Sequence, residues 1–222
     1  VNGSKIWTSN AYMSDWMFCL VRTDVDAPKQ EGISFVLIPM DDPGLTVNQI
    51  ELINGESEFC QVFFDDVKAE KRDLVGQENR GWGIAKRLLQ FERSAVGDGS
   101  FIPRSSSLPE ILQDYAPGDV AARNQVLDHE MRKAAFTLTR KRAAAEQKAP
   151  GAATFATSTF KYLSTRLESD GLDITAALMG TQGIGWQGTG FSDTELDTTR
   201  KMLLSKGFLI AGGSSEVQLN II

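Results

Sequence analysis

The feature that most constrains the fold is a change of hydrophobic period near residues 76–81. Before it, five short runs are rich in Val, Ile, Phe and Trp and are separated by turn signals such as Asp-Pro-Gly and Asn-Gly. After it, apolar residues recur every three or four positions, as they do on the buried face of a helix. A run of strands followed by a run of helices predicts an α+β chain.

The predicted elements fall into two successive domains, 1–78 and 79–222. No helical pattern separates the early strands, so they are expected to form an antiparallel sheet or barrel. The two longest helices are predicted at about 119–148 and 152–179, separated by an Ala-Pro-Gly turn. The predicted strands are 2–8, 16–23, 33–40, 45–52 and 59–64.

Composition narrows the function classes. The chain has 222 residues and a formal net charge of -6, which argues against a nucleic-acid carrier. No apolar run approaches the ~18 residues that a membrane span requires. Cys19 and Cys60 lie in strand-like runs without C-x-x-C spacing, which favours a reducing, cytoplasmic location over a disulfide framework or a zinc site. Because the sequence opens with Val1 inside a predicted strand, we expect it to be a fragment.

A glycine motif and a single histidine could indicate binding or catalytic sites, but their sequence context argues against both. Residues 183–188 satisfy G-x-G-x-x-G, but a helical run precedes them, whereas a Rossmann site needs a strand there. His129 is the only histidine, and it is flanked by Asp128 and Glu130. That setting predicts a solvated helix surface and leaves no histidine-dependent triad or metal site.

A carboxylate occupies an unexpected position on the first predicted helix. The apolar stripe through Trp82 and Ala85 reaches position 92, which is Glu. A carboxylate on such a stripe must find a partner, become protonated or serve a site, because desolvation disfavours its charged form. A general base is one interpretation, and an ion pair with Arg93 or Arg87 is the other.

Three segments resemble those of the acyl-CoA dehydrogenase flavoprotein family. Residues 1–9, V-N-G-S-K-I-W-T-S, look like that family's N-G-x-K-x-W segment. Residues 65–67, 74–76 and 81–83 look like its exit from the β-domain, and residues 211–222, A-G-G-S-S-E-V-Q-L-N-I-I, resemble its C-terminal G-G-T-S-E-I-Q-R-N-I-I segment. Their shared order makes the resemblance far more specific than any lone glycine motif.

The resemblance implies a middle β-barrel domain followed by a C-terminal four-helix bundle, with the family's N-terminal helical domain absent from this chain. It also implies that FAD is the cofactor. The expected reaction is α,β-dehydrogenation of an acyl-CoA: a Glu base takes the Cα proton, the Cβ hydride passes to flavin N5, and electrons continue to electron-transfer flavoprotein.

Site residues carry over by position. By resemblance, Trp7 would pack on the flavin ring and Ser9 would donate to its N5/O4 edge, with Thr8 beside it. The alternatives are a barrel-core Trp7 and a turn-forming Ser9. The remaining candidates belong to two segments near the FAD phosphates and ribityl chain, the second of which could instead cap the final helix: Gly180, Thr181, Gln182 and Gly183; and Ser214, Ser215, Glu216 and Gln218.

The family places its catalytic base at one of two positions. Many members have a Glu just before the Gly of the C-terminal motif, where this chain has Gly212. The branch that resembles isovaleryl- and long-chain-type enzymes uses the first bundle helix, where this chain reads Phe91-Glu92-Arg93. The two lines of reasoning meet at Glu92, which is the predicted base.

Some family features are missing, which keeps other functions open. No Arg-Phe-Gly segment follows Glu92, and Leu219 stands where an Arg is expected. These departures resemble a divergent bacterial branch in which subunits can pair with a non-identical chain. The alternatives are therefore a non-catalytic partner subunit, or an oxidase or desulfinase variant. A homo- or hetero-oligomer, as a dimer of dimers, is expected by resemblance.

Overall fold

The computed structural model describes residues 1–97, 105–146 and 159–222. It divides into two compact units, Val1–Phe91 and Glu92–Ile222. The described elements, in chain order, are strands β1 (Gly3–Ser9), β2 (Trp16–Arg22), β3 (Ile33–Pro39), β4 (Leu45–Ile50), β5 (Phe59–Phe64) and β6 (Leu74–Val75), and helices α1 (Gly81–Gly97), α2 (Leu108–Tyr115), α3 (Val120–Glu146), α4 (Phe160–Met179), α5 (Asp193–Phe208) and α6 (Ser215–Ile221).

The first unit is built from two antiparallel sheets of three strands each. One sheet has the order β1-β5-β4 and the other β2-β3-β6. In the second sheet, β2 and β3 pair along their whole length, from Trp16 opposite Pro39 to Arg22 opposite Ile33. The predicted strands are thus confirmed in place and in antiparallel pairing. Of the two expected arrangements, sheet or barrel, the described strands form two separate antiparallel sheets, and no closed barrel is found among them.

The core of the first unit lies between these sheets. Cys19, Val36 and Ile38 from one sheet and Cys60 and Val62 from the other belong to one buried cluster. Alternating residues on each strand point to opposite faces, so each sheet contributes one face to this cluster. Both cysteines are free thiols inside it, and burial raises the pKa of Cys19.

Helix α1 begins against the sheet. A β-carbon on Gly81 would lie 2.4 Å from the backbone nitrogen of Phe35, so only glycine allows the helix to start this close to β3. Arg80, just before it, forms a bridge with Ile33. The change of hydrophobic period therefore coincides with a tight contact between strand and helix.

In the second unit, α4 is the central element. It contacts α2, α3, α5 and α6. A small apolar cluster joins Leu108, Val126 and Ile174 from α2, α3 and α4. Helix α3 agrees with the predicted helix at about 119–148, and α4 ends at Met179 as predicted. The predicted turn between them and the predicted helical residues 152–158 lie outside the described residues. The four-helix bundle remains a prediction.

The prediction for His129 is wrong. Its side chain is only 2% exposed, and its Nε2 lies 2.9 Å from the carbonyl oxygen of Leu167 on α4. A β-carbon on Gly171 would lie 3.1 Å from the same Nε2, so the glycine leaves room for the imidazole. His129 shares a face of α3 with buried Val126, three residues earlier, and this spacing overrides the flanking charges.

Within the described ranges, no helix combines the length and the apolar run that a bilayer crossing needs.

Candidate functional site

Trp7 has an unusual backbone and an exposed side chain. The β1–β5 register shifts between Ile6 and Thr8, which places Trp7 at a bulge. Its φ is 63°, a left-handed value that costs a bulky residue about 1–3 kcal/mol. The indole is 59% exposed and makes an edge contact with Phe59 at 6.2 Å between ring centroids. Because Trp7 is exposed, it is not a core aromatic.

The two residues after Trp7 are fixed by β5. The Thr8 hydroxyl donates to the Cys60 carbonyl at 2.8 Å, and Ser9 is exposed and pairs in register with Phe59. The backbone N–H of Asn10 donates to the Glu58 carbonyl at 2.8 Å. Trp7 and Ser9 therefore project from a well-anchored strand end, with the Ser9 hydroxyl open to a ligand.

The predicted base lies on α1, but its side chain is outside the described residues. Helix α1 spans Gly81–Gly97, so position 92 is helical as predicted. Of the stripe before it, Ala85 is 5% exposed, whereas Leu88 and Leu89 are 37% and 42% exposed. The stripe is therefore buried at its start and open further along, and the role of Glu92 stays a prediction.

The candidate segment 180–183 follows directly after α4. Gly180 has a φ of 57° and begins a short 3-10 helix that runs to Ile184. Thr181 is exposed, Gln182 is half-buried, and Gly183 is buried. A β-carbon on Gly183 would lie 2.2 Å from the Ala176 carbonyl oxygen, so this glycine serves a close backbone approach. As predicted, a helix rather than a strand precedes the G-x-G-x-x-G motif.

The C-terminal candidates form the start of α6. The Ser214 hydroxyl accepts a bond from the Val217 N–H at 3.4 Å, so the helix-capping interpretation holds for it. Ser215 and Gln218 are buried, and the Gln218 amide donates to the Gly212 carbonyl at 3.1 Å. Glu216 is exposed. Its pKa is lowered, most by a hydrogen bond from its own backbone N–H and less by one from the Ser214 hydroxyl.

The sequence reasoning missed Lys161, a buried lysine beside this segment. It is 3% exposed, and its Nζ donates to the Gly213 carbonyl at 2.7 Å and to the Leu209 carbonyl at 3.4 Å. Lys161 lies on the buried stripe of α4 that continues through Leu172 and Met179. The projection that singled out Glu92 on α1 would have found it, if it had been applied to α4.

Family profiles match the chain in two consecutive segments. The profile of the acyl-CoA dehydrogenase middle domain matches residues 1–67. That of the acyl-CoA dehydrogenase C-terminal domain matches residues 79–222. The chain belongs to the acyl-CoA dehydrogenase family. The resemblance drawn from the three sequence segments is thereby confirmed.

Curated relatives support this membership and are longer than the chain. The acyl-CoA dehydrogenase IpdE1 of Mycobacterium tuberculosis is 30% identical over the whole chain, which covers 57% of that protein. The acyl-CoA dehydrogenase FadE34 of the same organism is 41% identical over 113 residues, which are 51% of this chain and 16% of FadE34. The chain thus spans little more than half the length of IpdE1.

Solved structures share the fold. The match to the Tcur3481-Tcur3483 steroid ACAD covers 99% of this chain and 58% of the matched chain, with a TM-score of 0.81 and 20% sequence identity. The match to the ChsE4-ChsE5 complex from Mycobacterium tuberculosis covers 100% of this chain and 59% of the matched chain, with a TM-score of 0.80 and 22% sequence identity. At these identities the likeness establishes the fold and not the substrate.

Proposed function

We propose that the complete protein containing this chain is an FAD-dependent acyl-CoA dehydrogenase that passes its electrons to electron-transfer flavoprotein. The observation that carries the proposal is the match of two consecutive family domains, in order, over almost the whole chain. Its relatives IpdE1 and FadE34 are both named acyl-CoA dehydrogenases. A cytoplasmic bacterial location is part of the same proposal.

The residues of each unit fit a flavin dinucleotide. In the first unit, Trp7 offers an exposed aromatic face and Ser9 an exposed hydroxyl on an anchored strand end. In the second, Thr181 is exposed in the 3-10 helix that follows α4, and the half-buried Ser214 presents its hydroxyl at the start of α6. In each unit these residues would contact FAD, and bound FAD supplies the acceptor for the Cβ hydride.

The chain's own chemical contribution is a proton acceptor. The Cα proton of a thioester is weakly acidic, so a carboxylate must be held unprotonated near it and must keep the proton afterwards. Glu92 would fill this role. The support for this role is the resemblance, which places the base of one family branch at this position of the first bundle helix, where the chain is helical.

A second candidate is a non-catalytic partner subunit in a heteromeric dehydrogenase. Gly212 stands where many family members have their base, and Leu219 stands where an Arg is expected. Two solved neighbours are complexes of two differently named chains, Tcur3481-Tcur3483 and ChsE4-ChsE5. The fixed Trp7 and the presence of Glu92 favour the catalytic alternative.

The test is anaerobic flavin reduction by the complete protein, purified with any partner that accompanies it. Straight-chain, branched and cyclic acyl-CoAs are added in turn, and the oxidised flavin absorbance is followed. Bleaching by one of them is the expected result, and oxygen consumption in air would instead indicate an oxidase. A preparation without flavin contradicts the proposal, and flavin held by the partner alone supports the non-catalytic subunit.

A further inference from the structure

Lys161 ties the first turn of α4 to the chain between α5 and α6. Its two acceptors, the carbonyls of Leu209 and Gly213, belong to the C-cap of α5 and to the residue just before the α6 cap. At 3% exposure, this side chain depends on protein acceptors rather than on water. Its removal would leave the acceptors of a tight turn without this donor.

The turn that Lys161 holds has a demanding backbone. Gly212 and Gly213 both have left-handed φ values, 67° and 100°. Glycine adopts these values at low steric cost but loses the most conformational entropy when it is fixed in them. The Gln218 amide, which donates to the Gly212 carbonyl, is the second side-chain tether on this turn. Two side chains from different helices thus fix two consecutive glycines.

Charge adds a second link between Lys161 and α6. Burial lowers the pKa of Lys161, while the carboxylate of Glu216 opposes that shift. In return, Arg166 and Lys161 contribute to the lowered pKa of Glu216, after its hydrogen bonds. Glu216 lies in the first turn of α6, so the lysine interacts with the segment both through backbone carbonyls and through a carboxylate.

We propose that Lys161 is a positioning residue that sets the geometry of the FAD-binding segment 214–218 without contacting the cofactor. The inference rests on the proposed function, since that function assigns Ser214 and its neighbours to FAD. Lys161 donates to the carbonyl that directly precedes Ser214. Its loss would therefore disorder the start of α6 before it affected the rest of the second unit.

The test compares Lys161→Met with Lys206→Met in the complete protein. Lys206 on α5 also binds α4, but its ammonium donates to side chains, Asp173 at 2.6 Å and Ser169 at 2.9 Å, whereas the ammonium of Lys161 donates to carbonyls of residues 209 and 213. We expect Lys161→Met to weaken FAD binding by at least about tenfold and Lys206→Met by less than about twofold. The dissociation constants are measured by flavin fluorescence below the unfolding range of each variant.

Hydrogen exchange gives a readout that needs no cofactor. Amides of residues 209–218 should exchange faster in Lys161→Met than in Lys206→Met, while those of α3 should not differ between the two variants. Equal FAD affinity in the two variants, or equal exchange in residues 209–218, overturns the inference. If the wild type binds no FAD, but residues 209–218 still exchange faster in Lys161→Met than in Lys206→Met, the proposed function is contradicted. The structural role of Lys161 in fixing this segment is then still supported. If Lys161→Met does not fold, Lys161→Gln is judged by the same criteria.

Discussion

At the scale of single residues, Trp7 combines two unfavourable features. Its left-handed backbone is strained, and its mostly exposed indole, in edge contact with Phe59, buries little apolar surface to offset that strain. Strained backbone of this kind clusters at ligand sites, because binding needs a fixed side-chain direction. Sequence alone identified Trp7 by resemblance, but it could not reveal the bulge that exposes the indole.

Trp7→Ala should weaken FAD binding by about fivefold or more, since the lost aromatic contact is worth about 1 kcal/mol or more. Its melting temperature should change little, because the indole is mostly exposed. Trp16→Ala is the matched control, as Trp16 is 53% exposed in the same unit. Flavin fluorescence titration checks the prediction, and equal loss of affinity in both variants would count against a flavin contact at Trp7.

The two residues that sequence reasoning misjudged are both polar and buried. His129 was placed on the surface because its neighbours are charged, and Lys161 was not singled out at all. Each is accommodated by a backbone feature of another element: the small Gly171 makes room for the imidazole, and the carbonyls of the 209–213 turn accept from the ammonium. Helical spacing predicts that both positions are buried, but it does not identify their partners, because those partners are distant in sequence.

At the scale of elements, helix starts and strands followed local rules well. The Ser192 hydroxyl and the Glu195 carboxylate form a reciprocal capping box at the start of α5. The arrangement of the strands was harder to predict than the strands themselves. The sequence is compatible with a sheet or a barrel, and the structure forms two sheets. Closure would require pairing between edge strands of the two sheets, and hydrophobic alternation within each strand carries no information about that pairing.

The capping box predicts a pH-dependent contribution to stability. The pKa of Glu195 is lowered, first by the Ser192 N–H at 2.6 Å and also by the Tyr115 hydroxyl at 2.9 Å. A carboxyl with a lowered folded pKa stabilises above its unfolded pKa and loses that contribution as the pH falls through the folded value. Glu195→Gln should therefore lower the melting temperature more at pH 7 than in acid.

Thermal melts of wild type and Glu195→Gln across this pH range check the sign. Tyr115→Phe serves as the partial variant, since it removes one of the two bonds and should give a smaller effect in the same direction. A melting-temperature difference that stays constant, or grows in acid, would contradict the assignment of this carboxylate as charged in the folded state.

The end of α4 depends on a glycine that no side chain can replace. Gly183→Ala would place a β-carbon 2.2 Å from the Ala176 carbonyl oxygen. We expect a loss of about 2 kcal/mol or more in the free energy of unfolding, as for overpacked cores. Gly190→Ala is the control, because no atom lies within 4 Å of its β-carbon position. Urea titration measures both, and equal stability of the two variants would refute the close approach.

At the scale of the whole molecule, the change of period predicts a domain boundary at 78/79, whereas the structure divides into compact units at 91/92, within α1; the domain boundary at 78/79 therefore stays a prediction. The oligomeric state could not be predicted in this way, because the sequence of one chain does not show directly which of its residues contact other subunits. Met131 and Leu138 on α3 are 66% and 65% exposed, which is typical of a face that meets another subunit. We expect Met131→Glu to reduce the mass of the oligomer that the family resemblance implies, as measured by light scattering.

Gln125→Glu is the control for this mass measurement, because Gln125 is an exposed polar residue of the same helix and gains the same charge. An unchanged mass for Met131→Glu would exclude this part of α3 from the subunit contacts.

The central claim, that this chain supplies the proton acceptor of an acyl-CoA dehydrogenase, is tested most directly by one rate. Stopped flow follows flavin reduction by an acyl-CoA that is found to reduce the flavin, in wild type, in Glu92→Gln and in Glu78→Gln. The last variant is the charge-matched control, because Glu78 is exposed. Loss of a proton-transfer group should slow the reduction by at least about 10²-fold in Glu92→Gln and leave Glu78→Gln unchanged. Reduction at the wild-type rate in Glu92→Gln would contradict the account.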